Sequence, residues 1–215
     1  MIQFIKLWQV LIVCFAIIST NVLADMNPEI AALQDQWADI NYQMQGDAQE
    51  DAFAELADLA DSVTSRYPDD PEAWIWSGII KSTYAGAKGG LGALSLAKAS
   101  KRDLEKALEL NPEAMNGSAY TSLGTLYYSV PGWPIGFGDS DQAEELLSRA
   151  LEIAPDDIDA NYFFAEFLYS KKAYESARTH YLIAQKAAPR PGREVADQGR
   201  QAEIVTALAR LEGNK

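Results

Sequence analysis

Beyond residue 25, apolar residues recur at intervals of three and four and almost nowhere alternate. The chain is therefore predicted to be helical, with one buried face per helix. Three segment endings align within that pattern: LEKALELNP at 104–112, LSRALEIAP at 147–155 and YLIAQKAAP at 181–189. Each begins on a large residue (Leu104, Leu147, Tyr181), places alanine three positions on (Ala107, Ala150, Ala184) and closes on proline (Pro112, Pro155, Pro189). Proline lacks the backbone N–H and clashes with the preceding turn, so each marks a helix end. Upstream lie partner helices starting at Ala73, Ala119 and Ala160. Gly78, Gly124 and Ala165 share one position of the first helices, and Ser100, Ala143 and Ala177 share one position of the second. Small residues at such positions let two antiparallel helices approach closely while larger neighbours fill the grooves.

This pattern resembles the tetratricopeptide repeat family. In the last unit Ala165, Tyr174, Ala177, Tyr181, Ala184 and Pro189 stand at the spacings of that family's repeat of about 34 residues. The resemblance implies an all-α, right-handed solenoid of helical hairpins. The two small positions lie twelve residues apart in the last unit (165 to 177), nineteen in the middle one (124 to 143) and twenty-two in the first (78 to 100). The two earlier units thus carry insertions between their helices. A degenerate unit precedes them, with LQDQWADINYQM as its first helix, DAFAELADLADSVTSRYPDDP as its second, and Pro68 ending it. After Pro191-Gly192, residues 193–212 place Val195, Ile204, Leu208 and Leu211 on one face, as a terminal helix covering the last repeat requires. The expected organisation is a single domain at 25–215, with repeats at about 30–68, 71–112, 117–155 and 158–189 and a cap helix at 193–212.

The first 24 residues follow a different pattern. Lys6 precedes an apolar run, Leu7 to Ile18, broken only by Gln9, and Val22-Leu23-Ala24 ends in small-residue form. That is the layout of a secretory signal peptide, with cleavage expected after Ala24 and a periplasmic destination. The alternative, an uncleaved membrane anchor, meets a marginal length at 2–18 and the polar residues Gln3, Lys6 and Gln9. Cys14, the only cysteine, lies in the apolar run behind Val13, which is too large for the usual lipidation signal. The processed chain is then expected to have no disulfide, no thiolate nucleophile and no cysteine metal site.

The whole chain carries a formal charge of −13. Residues 25–72 hold thirteen Asp and Glu against Arg66 alone, whereas 171–215 hold nine Lys and Arg against five acids. A balance this acidic disfavours nucleic acid as a partner, and it suits a soluble surface with opposed poles.

Few residues suit catalysis. His180 is the only histidine, and a triad or metal site needs partners that the sequence does not supply. Asp69-Asp70 and Asp156-Asp157 each follow a repeat proline and read as turn residues and N-caps. Glu166, among Phe163, Phe164 and Phe167, is either a solvated position or a polar anchor in a groove. The stretch AGAKGGLGALSLAKAS (85–100) contains neither dinucleotide nor P-loop spacing and reads as a lengthened hairpin. Lys88, Lys98, Lys101 and Arg102 lie there with no acid between Ser82 and Arg102, so they form a solvated face or a patch for an acidic partner. No cofactor is expected and no enzymatic constellation is present.

In tetratricopeptide proteins the first helices line the concave face. Carried over by position, that face receives Ile75, Ile79, Thr121, Thr125, Tyr128, Tyr162, Glu166 and Tyr169. These residues suit an apolar or aromatic ligand or a partner helix; equally, the tyrosines serve simply to pack against neighbours. The loop PGWPIGFGD (131–139) places Trp133 and Phe137 at the groove mouth or folded onto the repeats. Gly136 and Gly138 are expected to allow unusual backbone angles, and Asp139 with Gln142 to form a capping box.

Residues 127–143, with the Ala/Gly hairpin before them, are also similar to the periplasmic tetratricopeptide T component of tripartite ATP-independent transporters. That resemblance implies association with a substrate-binding subunit and handling of a small hydrophobic organic ligand. It contrasts with the other reading of an exported, non-enzymatic repeat protein, an envelope assembly or chaperone-like scaffold.

Overall fold

The structure, a computed structural model, describes residues 26–213; the predicted signal segment and its cleavage point lie outside them. Asn27 opens the first helix, its Oδ1 accepting the Glu29 N–H at 2.9 Å and so satisfying one of the donors a helix start leaves unpaired. Four helical hairpins follow: α1 Pro28–Gln43 with α2 Gly46–Arg66, α3 Pro71–Lys88 with α4 Gly90–Leu110, α5 Ser118–Ser129 with α6 Ser140–Ile153, and α7 Ile158–Ser170 with α8 Tyr174–Gln185. A last helix, α9, spans Glu194–Glu212. The architecture is an all-α hairpin solenoid with an additional C-terminal helix.

The aligned small positions act as close packing requires. A Cβ on Gly78 would stand 2.5 Å from Leu104 Cγ, and one on Gly124 2.7 Å from Leu147 Cγ. Leu104, Leu147 and Tyr181, the large residues of the aligned endings, are fully buried. Ser100 belongs to the same contact, its hydroxyl donating to the Gly78 carbonyl at 2.6 Å. The post-proline aspartates are caps: Asp70 accepts from the Glu72 N–H, and Asp157 from those of Asp159 and Ala160.

Both insertions are ordered extensions of their hairpins. α3 and α4 have 18 and 21 residues against 13 and 12 for α7 and α8. At 1.5 Å per residue that hairpin projects roughly 8 Å further. Gly89 and Gly90 turn its tip with φ of 61° and 58°, angles at which a side chain would be strained. In the second insertion Gly136 and Gly138 do not adopt left-handed angles, contrary to expectation. Glycine is required there for space, since a Cβ would lie 2.4 Å from the Pro131 oxygen and 1.9 Å from the Val130 oxygen respectively. The Trp133–Pro134 peptide is cis. Asp139 caps α6, but the capping box is not completed. The Asp139 N–H donates to the Tyr127 carbonyl at 2.9 Å, and the Gln142 amide turns to Glu145. The last turn of α5 already supplies the acceptor.

α9 does more than cover the last hairpin. Its second half packs Ile204, Ala207 and Leu211 against Tyr181 and Ala184. Its first half reaches the other end of the chain, where Ala196 joins the core formed by Ile30, Leu33 and Trp37. A Cβ on Gly199 would lie 2.3 Å from the Tyr42 ring. The first and last helices therefore meet, and the inner side of the solenoid is bridged by α9.

Candidate functional site

Three spaces open on the inner side and between the insertions. A groove of about 650 Å³ runs between α1, α7 and α9, lined by Tyr42, Tyr162, Glu166, Glu203 and Arg210 among others. An interior chamber of about 90 Å³ lies between α1, α3, α5 and the start of α9, with Trp76, Ile79, Thr121, Thr125, Arg193 and Arg200 in its wall. A cleft of about 570 Å³ separates the extended α3–α4 hairpin from α5 and the 130–137 loop. Small residues dominate its hairpin wall: Ala85, Gly86, Gly90, Ala93 and Ala97, with Leu94.

The residues predicted for the concave face divide among these spaces. Tyr162 and Glu166 line the groove; Ile79 and Thr121 line the chamber; Thr125 faces both chamber and cleft. Ile75 is fully buried in a core with Leu104, Ala107 and Leu123, so it is a packing residue. Tyr128 packs on Phe167, ring centres 5.9 Å apart, and burial pushes its phenol pKa up. Tyr169 is covered by Arg210, whose guanidinium carbon lies 3.8 Å from the ring centre. Phe137 folds inward edge-on to Tyr127 at 5.5 Å, whereas Trp133 is 90% exposed. Ile135 is 68% exposed and lines the cleft.

Glu166 lies in the wall of the groove and is held by partners within the protein. It accepts from the Tyr181 hydroxyl and from Arg210 Nη2, the latter at 2.7 Å. Burial and the Glu166 carboxylate together push the Tyr181 phenol pKa up. His180 is structural: its Nδ1 lies 2.9 Å from Asn161 Oδ1, which only accepts, so Nδ1 carries the proton. Its ring stands edge-on to Phe164 at 4.8 Å. The basic stretch is partly neutralised, because Lys88 pairs with Glu50 on α2 and Lys101 with Glu105 on the next turn.

A charged cluster at the α7–α9 junction was not anticipated from the sequence. Asp159 receives Arg190 at 2.7 Å and Arg200 at 2.8 Å; Arg190 also binds Asp197 and Arg200 also binds Glu203. Burial pushes the Asp159 carboxyl up, but the guanidinium groups of Arg200, Arg190 and Arg193 outweigh it and hold the group well below the usual carboxylate range. Arg200 is nearly enclosed and stacks on Tyr162, its guanidinium carbon 4.3 Å from the ring centre. These residues come from α7, α9 and the α8–α9 connector, and Asp159 and Arg200 lie 41 positions apart along the chain. No periodicity links them. The small-residue face of the cleft, in contrast, was visible in AGAKGGLGALSLAKAS, where alanine and glycine recur with no large apolar residue but leucine.

Residues 135–211 match the family model described as tetratricopeptide repeat. This segment is similar to a tetratricopeptide repeat region. It begins in the loop before α6 and takes in the last hairpin and nearly all of α9. No curated protein matches the chain in sequence. Among solved structures the chain is similar to TTC0263, a thermophilic TPR protein of Thermus thermophilus, with 16% identity, 83% of this chain and 98% of that one covered, and a TM-score of 0.54. It is also similar to MamA protein (15% identity, 86% and 91% covered, TM-score 0.45) and to PilF of Pseudomonas aeruginosa (14%, 86% and 95%, TM-score 0.36). At 16% identity the TTC0263 likeness is one of fold. Tetratricopeptide repeats are characteristically non-catalytic interaction modules. Among the described residues no group of three or more His, Cys, Asp or Glu is placed to hold a metal ion, and no helix is long and apolar enough to cross a membrane.

Proposed function

We propose that this protein is an exported, non-enzymatic binding scaffold, acting as an accessory ligand- or partner-binding component of a periplasmic solute transport system. The observation that carries this reading is the apolar cleft of about 570 Å³ between the two insertions. The elements that distinguish this chain from a plain repeat array are the ones that build its walls. Ala85, Gly86, Ala93 and Ala97 leave room beside Leu126 and Val130, and such a surface takes up an apolar ligand or the apolar side of a partner helix. Trp133 and Ile135, the most exposed large apolar residues among those described, stand on the loop at its edge. Exposed apolar groups clustered in this way favour a contact with another molecule.

The similarity of residues 127–143 to the transporter T component supports the transport role, and the layout of residues 1–24 supports export. The partner on this reading is a periplasmic substrate-binding subunit, and the ligand a small hydrophobic organic molecule. A photo-crosslinking residue at position 135, expressed in the native host, tests it. Recovery of one solute-binding subunit is the expected result. Recovery of several unrelated envelope proteins would replace transport by the assembly-scaffold reading. N-terminal sequencing of the recovered protein is expected to begin at Asp25; an intact Met1 would remove the cleaved signal.

A further inference from the structure

Two residues that line the interior chamber carry hydrogen-bond donors with no acceptor among the described residues: the indole Nε1 of Trp76 and the Nε of Arg193. Trp76 is 1% exposed, and the Arg193 guanidinium carbon lies 5.3 Å from its ring centre. A buried donor without an acceptor forfeits its hydration and gains nothing in return, and such groups are rare in folded proteins.

Several of the surrounding donors are already engaged. Arg200 and Arg190 share Asp159 and take Glu203 and Asp197 respectively as second partners. The Trp37 indole donates to Thr83 at 3.0 Å, and the hydroxyls of Thr83, Ser118 and Thr125 donate to carbonyls of their own helices or turns. Of the three arginines here, Arg193 alone makes no ion pair with the described residues. Burial, reinforced by the neighbouring Arg190, pushes its pKa down, so its charge stands in an unfavourable place.

Both unmatched groups are pure donors, and one is a cation. A group that accepts two hydrogen bonds and carries negative charge satisfies both best. We propose that the chamber is a binding site for a small carboxylate, held by the Arg193 guanidinium and the Trp76 indole N–H. A carboxylate presents two oxygens in the plane of a guanidinium fork, so one group can meet both donors. The volume of about 90 Å³ leaves room for a ligand of a few non-hydrogen atoms such as formate or acetate. One uncompensated cation also matches a single negative charge better than the double charge of phosphate. The inference stands apart from the transport reading, which rests on the apolar cleft and its loop.

Titration of the full exported chain with sodium acetate, against sodium chloride at equal ionic strength, tests it through the tryptophan indole resonances in ¹H–¹⁵N spectra. Trp76→Phe assigns the resonance in question. Acetate is expected to move the Trp76 indole signal saturably while chloride leaves it in place, and Arg193→Gln to weaken acetate by about tenfold or more. Arg193→Lys, which keeps the charge but loses the fork, is expected to fall between the two. No saturable movement in the unmodified protein overturns the proposal, whatever the variants do. So does an Arg193→Gln protein that folds and binds acetate as before.

Discussion

Lys81, on α3, places its ammonium 2.5 Å from Asp103 and 2.6 Å from Asp61. Ser77 donates to the same Asp103 oxygen at 2.8 Å. The Lys81 and Asp103 side chains are about one-tenth exposed, whereas Asp61 is mostly in water. Such a pair gains little over apolar residues of the same volume, yet breaking it leaves a charge stranded. Asp103→Ala is therefore expected to lower unfolding free energy by about 3 kcal/mol, while the double replacement Lys81→Met with Asp103→Leu recovers most of that. Chemical denaturation of the three variants measures it. A loss under about 1 kcal/mol for Asp103→Ala would mean the pair behaves as an exposed one. The sequence shows these charges but not their meeting, since the periodicity of each helix carries no information on which neighbour a polar position faces. Gly78 and Gly124 were legible because their roles depend only on repeat register, and each proved to lie against the large residue of its aligned ending.

Helix α9 separates what periodicity can say about an element from what it cannot. Val195, Ile204, Leu208 and Leu211 were expected on one face over the last repeat. Ile204 and Leu211 are fully or nearly buried there, with Leu208 packed beside them. Val195, two to three turns earlier, instead packs against the first repeat's core. The helix is long enough to serve two clients, and at about 3.6 residues per turn the nine positions from Val195 to Ile204 put these two residues on opposite sides of it. Gly199 is the contact that tests this bridge, because its missing side chain accommodates Tyr42. Gly199→Leu is expected to force α9 from α1, raising amide exchange across Pro28–Gln43 while α7 and α8 stay protected. Equal exchange rates in α1 before and after the substitution would show that the two ends do not depend on each other.

Across the whole molecule, the Asp159 cluster fastens α7 to α9 and thereby holds the inner chamber together. Its folded carboxyl is a stronger acid than in the unfolded chain, where the ordinary value is 3.8. The unfolded chain thus binds that proton first as pH falls, so the stabilisation is complete above about pH 4 and is lost progressively below it. Asp157 and Glu203, pushed up by burial, act in the opposite sense, and comparing variants isolates Asp159. Asp159→Asn is expected to lower the melting temperature at neutral pH and to flatten its decline below about pH 4. A decline as steep as in the unmodified protein would remove Asp159 from the acid response.

By itself the sequence determined the number of hairpins, the two insertions and the extra terminal helix. Each of these depends on spacing along a single chain: apolar period, small slots, prolines and caps. Only the tertiary structure decided that the two ends meet, that five of the eight predicted concave residues divide among three spaces while the others pack, and that Trp76 and Arg193, each with an unmatched donor, line one chamber. Those outcomes depend on how hairpins are rotated against each other, and small rotations summed over four of them leave no periodic trace in any one segment.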